Sequence, residues 1–344
     1  MSIENSLKNE TGPLRVGSVW DVVGQTPLIR IGSLSRLTGC EIYGKAEFLN
    51  PGGSVKDRAA KGLILDAETR GLLLPGQTIV EGTAGNTGIG LTVLGRERGY
   101  KVVVFMPDNL VAEKYSLLET LGAEVKVLPS VPFSNPNHFF HAAREYSKSL
   151  PGSYWANQFE NTANGDYHLK TTGPEIWQQT KGKIDIFTCA VGSSGTMSGV
   201  SRYLKSQNLK VRVMLADPMG SGMFKQVTEG KIESEGSSIS EGIGIMRITE
   251  NFKHAQVDGA MRVPDQDMVD MVYHLAQNDG LFVGTSSGLN AMAAYRLGQE
   301  NAGSKKVIVT ILCDSGTRYT SRILNRAWLE EKNLVPRKLV TQLA

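Results

Sequence analysis

The chain has 344 residues, a formal net charge of +3 and 40% apolar side chains, enough for about two domains of roughly 150 residues each with ample core, and its interspersed charges include no Lys/Arg block of the kind that binds nucleic acid. Three cysteines, Cys40, Cys189 and Cys313, lie far apart without a CxxC spacing; this argues against a disulfide scaffold or a structural zinc site and fits a reducing, cytoplasmic setting. No stretch reaches about 18 apolar residues, and the polar start Met1 to Pro13 lacks an apolar export core, so a soluble protein without a membrane or metal role is expected, with an N-terminal tail over residues 1–15.

In chain order, Glu41 to Phe48 reads as a strand that runs into Asn50-Pro51-Gly52-Gly53-Ser54-Val55-Lys56-Asp57-Arg58. Asn50 and Pro51 form turns, and Gly52-Gly53 reach backbone angles that a side chain forbids. Ser54 is placed to cap a helix through Asp57, Ala59, Ala60 and Leu63, with Lys56 in its first turn. The helix dipole disfavours a cation there. An amine held at that point is suited to condense with a carbonyl as a Schiff base; the other reading is a surface lysine after an ordinary turn.

Thr78-Ile79-Val80, Gly82 to Gly88 and Ile89 to Glu97 predict strand, glycine loop and helix. Lys101 to Phe105 and Glu124 to Leu128 follow as strands, with helices over Leu110 to Leu121 and His138 to Ser149 around the loop Pro129 to Asn137. A second series has a strand Lys183 to Val191, a glycine loop Gly192 to Thr196, a helix Met197 to Ser206 and a strand Val211 to Ala216. Helices Asp265 to Gln277 and Ser287 to Gln299 and the apolar strand Lys306 to Leu312 complete it. The alternation predicts an α/β protein of mostly parallel sheets covered by helices.

Gly192-Ser193-Ser194-Gly195-Thr196 offers backbone N–H groups and three hydroxyls at a helix start, a set suited to a phosphate monoester. It has neither the Gly-Lys-Ser/Thr ending of a nucleotide loop nor a GxGxxG spacing, which disfavours ATP and NAD. A plain capped loop is the other reading. Two glycine loops on two α/β units imply a ligand between two lobes at the carboxyl ends of strands. Together with a placed lysine, they point to pyridoxal 5'-phosphate. The expected lobes are 50–160, small and mobile, inserted in a larger one of 16–49 and 161–344.

Asn50 to Arg58, Glu81 to Gly88, Asn157 to Asn161, His168 to Trp177, Gly192 to Thr196, Glu241 to Gly244 and Asp314 to Tyr319 together resemble the fold-type II pyridoxal-phosphate enzymes of the cysteine synthase and cystathionine beta-synthase group. The likeness runs from about Val16 to Trp328. It implies a tryptophan synthase beta-like fold, Lys56 as Schiff-base lysine and base, Asn86 beside the cofactor's 3-hydroxyl oxygen, and Gly192, Ser193, Ser194, Gly195 and Thr196 around its phosphate. Ser315 would face the pyridine nitrogen; a hydroxyl is a weak partner there, and a mild electron sink suits β-replacement. Thr83, Ala84, Gly85, Asn86 and Thr87, with Gln158 and Gly242, would receive the amino-acid substrate and its carboxylate.

The implied reaction is O-acetyl-L-serine plus sulfide to L-cysteine through an aminoacrylate, in a homodimer whose small lobe closes on substrate and whose cleft admits an acetyltransferase tail. Cysteine desulfhydrase and cystathionine beta-synthase-like activities share that intermediate, and a non-catalytic module binding a partner's C-terminal tail is an alternative of another class. Ala84, Gly82, Thr162 and Cys313 depart from the group's usual serine, proline or alanine, proline and proline. Arg247 is a candidate to face a phosphorylated leaving group. His168 reads as structural, Cys313 as a small side chain at a strand end, and the chain as too short beyond the catalytic lobe for a regulatory domain.

Overall fold

The computed structural model describes residues 17–339, so the expected tail over 1–15 lies outside the described residues. Ten strands occur among them: β1 (Leu28–Arg30), β2 (Glu41–Ala46), β3 (Thr78–Gly82), β4 (Lys101–Pro107), β5 (Glu124–Leu128), β6 (Ser153–Trp155), β7 (Ile186–Cys189), β8 (Arg212–Pro218), β9 (Gly259–Val263) and β10 (Val307–Leu312). They form two sheets, one of six strands ordered β1-β2-β10-β7-β8-β9 and one of four ordered β5-β4-β3-β6. Only β1 runs antiparallel, pairing Ile29 with Gly44 at the edge of the larger sheet.

The apolar runs explain the two-sided burial. In β4, Val102, Val104 and Met106 enter one cluster of the smaller sheet and Val103 and Phe105 another on its opposite face. In β10, Ile308 and Leu312 face one core while Val309 and Ile311 face a second. Strands covered on both faces need no polar alternation, so they read as continuous hydrophobic stretches.

A charged cluster within the larger assembly fixes the helix that begins at Lys56. Arg58, in the first turn of the helix Lys56–Thr69, is wholly buried with Lys45 and Glu47. Its guanidinium donates to Glu47 at 2.8 Å and to Glu175 at 2.7 Å. Lys45 donates to Glu175 and to the Thr26 carbonyl, both at 2.6 Å. Burial pushes the Glu175 carboxyl up, but the Arg58 hydrogen bonds and charge, with Lys45, prevail and hold it down at about 2. Two acids and two bases are thus paired, the condition under which buried charges are tolerated.

Candidate active site

Three loops meet at the carboxyl ends of parallel strands, after β3, β7 and β10, and enclose a cavity of about 700 Å³. Its wall takes in Lys56, Thr83, Ala84, Gly85, Asn86, Thr87, Gln158, Gly192, Ser193, Ser194, Gly195, Thr196 and Gly242, the whole residue set expected from sequence except Ser315. Both glycine loops therefore face one space.

The Lys56 turn is pinned to the end of β10. The Val55 N–H donates to the Cys313 carbonyl at 2.8 Å, and Ser54 bridges Asp314. Ser54 is not the cap expected of it: Val55 is the N-cap, without a side-chain capping bond, Lys56 is the first residue of the helix, and the Ser54 hydroxyl accepts the Lys56 N–H at 3.2 Å. Gly53 has φ +77°, and the Arg318 guanidinium lies 2.8 Å from where a Cβ would stand, so the turn requires glycine on both counts. Arg318 donates to the Gly52 carbonyl and to the Asn86 amide oxygen, joining the lysine turn to the first glycine loop. The Lys56 ammonium itself enters no hydrogen bond or ion pair among the described residues.

Asp57 and Asp314 support these turns from within. Asp57 accepts the Gly52 N–H at 2.5 Å, and burial raises its carboxyl to about 7 against that hydrogen bond. Asp314 accepts from the Asn86 amide and the Tyr319 hydroxyl, each at 2.8 Å.

The second loop has the properties of a phosphate cradle. Ser194 precedes the helix Gly195–Gln207 in a left-handed conformation, φ +70°, and its buried hydroxyl has no partner. A Cβ at Gly195 would fall 2.0 Å from the Asn164 amide oxygen, and Asn164 also donates to the Ser193 hydroxyl at 3.0 Å. Thr196 contacts the buried His168 ring at 3.3 Å, whose other nitrogen meets Thr172 at 2.8 Å. Burial pushes that imidazole down to about 3, so His168 is a neutral support, as its sequence setting suggested. An orphaned buried hydroxyl, a cradle closed to side chains and the N-terminus of a long helix fit the phosphate of pyridoxal phosphate, with Lys56 on the same wall for its aldehyde carbon.

Two side chains expected at the site lie outside the cavity wall. Ser315 is not on the cavity wall: its hydroxyl accepts the Thr317 N–H at 3.3 Å and the Thr317 hydroxyl at 3.0 Å, capping the short turn Gly316–Tyr319. The polar side chains on the wall near this end include Asp314, Thr317 and Ser286, the last buried in the first turn of the helix Thr285–Glu300. Arg247 is also off the wall. It is paired with Glu160, and its guanidinium stacks over Phe133, Phe159 and Phe140 at 4.8, 5.0 and 5.3 Å, a half-buried and satisfied position.

The wall also carries two cations the sequence reading did not include, Arg318 and Lys114. Lys114 pairs with Glu241, which also pairs with Arg322. Burial, with Arg322 and Arg318 nearby, lowers the Lys114 ammonium to about 8. Cys313 is on the wall too, its thiol driven up to about 12 by burial, an inert state for a cysteine.

A family described as "Pyridoxal-phosphate dependent enzyme" matches residues 19–314. The chain belongs to this family and is an enzyme dependent on pyridoxal phosphate. It is 52% identical to cysteine synthase 1 of Neurospora crassa, over 91% of this chain and 84% of the relative. It is 50% identical to cysteine synthase of Dictyostelium discoideum, over 91% and 85%. A solved structure, the O-acetylserine dependent cystathionine beta-synthase of Helicobacter pylori, superposes with a TM-score of 0.81 at 31% identity, covering 90% of this chain and 99% of that one.

Proposed function

We propose that the chain is a cysteine synthase, forming L-cysteine and acetate from O-acetyl-L-serine and sulfide. The observation that carries this reading is the unpaired Lys56 amine in one cavity with an anion-receiving loop and the hydroxyl-rich wall Thr83 to Thr87. Pyridoxal phosphate, when bound, supplies an electron sink for negative charge at the substrate's α carbon. The rest is the work of the chain. Ser193, Ser194 and Thr196 would hold the phosphate, and Asp314 and Ser286, both on the wall near the end of β10, would be available to the cofactor ring. Thr83, Thr87 and Gln158 bind the substrate carboxylate and turn its α proton toward Lys56 Nζ, which removes it. Asn86, on the same wall, would contact the cofactor ring.

A second reading has a specific observation in its favour. Lys114 and Arg318 on the wall suit the carboxylate of an amino-acid thiol such as homocysteine better than sulfide requires. Steady-state turnover with acetylserine, phosphoserine, cysteine and homocysteine offered in parallel separates these readings. Sulfide-dependent cysteine formation from acetylserine should exceed the other reactions by at least about tenfold in kcat/KM. Faster cysteine breakdown would make the protein a desulfhydrase instead.

Residues 50–160 act in this reading as a lobe that closes on substrate. Its support is that the four-stranded sheet lies wholly within Thr78–Trp155. Solution scattering with and without an amino acid should register the closure. A homodimer with an acetyltransferase tail reaching the cleft extends the reading, supported by exposed apolar side chains such as Leu49 and Phe282; a concentration-independent monomer in sedimentation would end it. Three free cysteines support a cytoplasmic setting, and no helix among the described residues is long and apolar enough to cross a membrane.

A further inference from the structure

Glu81, next to last in β3, is hydrogen-bonded to Gln158 of the wall, and the reaction outlined above makes no use of it. Its carboxyl is fully buried. One oxygen accepts from the Gln158 side-chain amide at 3.3 Å, and the other has no partner. Gln158 accepts the Thr87 hydroxyl at 2.6 Å. Its main-chain carbonyl is held by the amides of Asn164 and Asn251, each at 3.0 Å. The residue before it, Asn157, is left-handed at φ +49°, so the turn that presents Gln158 is held against a backbone preference.

The two ends of the Gln158 amide are chemically distinct. Thr87 has a proton to give and meets the amide oxygen; Glu81 presents an accepting oxygen and meets the amide nitrogen. With both ends assigned, the second N–H of that amide has no partner among the described residues. Gln158 lines the cavity.

We infer that Glu81 is a positioning residue for the carboxylate wall: it holds the Gln158 amide in one orientation, so that the second N–H remains available to the carboxylate of an amino-acid substrate. This rests on the amino-acid reading of the cavity given above. Without Glu81 the amide is free to turn over and set its oxygen toward an anion.

The electrostatics point the same way. Burial raises Glu81 to about 8, opposed by the Gln158 side-chain amide and by the dipoles of the nearby Gln158, Asn157 and Gly82 N–H groups. At neutral pH it is an uncharged acceptor behind an anion site; above that value it becomes a negative charge there. Tyr154 on β6 is the titratable side chain that responds to Glu81, and burial raises its phenol, which stays neutral. Charged groups on the neighbouring helices are engaged elsewhere: Arg96 with the Tyr100 carbonyl, His141 with the Phe133 carbonyl and Arg144 with Glu145. Lys101, at the start of β4, is exposed.

The test titrates the cofactor-loaded protein with L-alanine, which has no leaving group, and with L-alanine methyl ester, which lacks the carboxylate, between about pH 6 and 9. Binding is read from cofactor absorbance. Glu81→Ala should weaken L-alanine about tenfold, the loss of one hydrogen bond to a charged group, and leave the ester unchanged. Glu81→Gln, which keeps an acceptor for the amide, should retain neutral-pH affinity and abolish the weakening the wild type shows above about pH 8. Equal weakening of acid and ester by Glu81→Ala, or a wild-type pH profile in Glu81→Gln, overturns the inference. A wild-type protein that binds neither ligand refutes the amino-acid reading, and the inference falls with it.

Discussion

A Cβ at Gly192 would stand 2.3 Å from the carbonyl oxygen of Gly242, so the phosphate loop and the turn beside it touch through backbone alone. Gly192→Ala must therefore push the two loops apart. We expect a loss of about 1–3 kcal/mol in folding stability from overpacking and, beyond that, weaker retention of pyridoxal phosphate. Denaturant unfolding with and without added cofactor separates the two effects. An equal loss in both conditions would place the contact in the fold and outside the cofactor site.

Breaking the buried charge cluster has a different signature. Arg58→Met leaves Glu47, fully buried and paired to it at 2.8 Å, without its cation. The expected loss is about 3–5 kcal/mol in urea unfolding, and Arg58→Lys should recover only part of it because a lysine cannot make the paired guanidinium contacts. A loss below about 1 kcal/mol would show that the helix carrying Lys56 does not depend on the cluster.

The pH dependence of stability should carry the mark of Asp57. Burial raises its folded value from 3.8 to about 7, so between those values the native protein keeps a proton that the unfolded chain releases. Stability therefore falls as pH rises through this window, with a slope of at most about 1.4 kcal/mol per pH unit. Asp57→Asn keeps an acceptor for the Gly52 N–H and removes the titration. Its stability relative to wild type should climb between pH 4 and 7 and then level off, measured by chemical unfolding at fixed ionic strength. His168 contributes the opposite trend: held at about 3 by burial, it lowers stability as pH falls below the ordinary histidine range.

The two serines at the end of the larger sheet divide cleanly by position. Ser286→Ala should change cofactor absorbance and affinity, because its hydroxyl is on the cavity wall. Ser315→Ala should leave the spectrum alone and remove a cap worth about 1 kcal/mol. A spectral change in the Ser315 variant alone would reverse the correction made above.

That pair also shows where sequence reading stopped. The lysine turn and both glycine loops were legible because local chemistry defines them: a tight turn, a helix start and a strand before each loop. Ser286 carries a local signal as well, in Gly284-Thr285-Ser286-Ser287-Gly288, but that run reads equally well as an ordinary helix start. Its place on the cavity wall depends on how the helix Thr285–Glu300 packs on β10. Arg318 and Lys114 are invisible for the same reason, since what makes them wall residues is the approach of distant elements, 232 positions for Arg318 and Asn86 and 127 for Lys114 and Glu241. The Asp314–Asn86 contact spans 228 positions. Strands β1, β6 and β9 were missed: Leu28–Arg30 and Ser153–Trp155 are only three residues long, and Gly259–Val263 has Gly, Ala and Arg in place of a run of β-branched side chains.

Central to the account is that Lys56 carries the chemistry of the cavity. The direct measurement is borohydride reduction of the purified protein followed by peptide mapping. A pyridoxyl-phosphate mass addition on the peptide containing Lys56, absent in Lys56→Ala protein that retains its fold, is the expected result. Addition at another lysine, or an unchanged absorption spectrum and adduct in the Lys56→Ala variant, would contradict it.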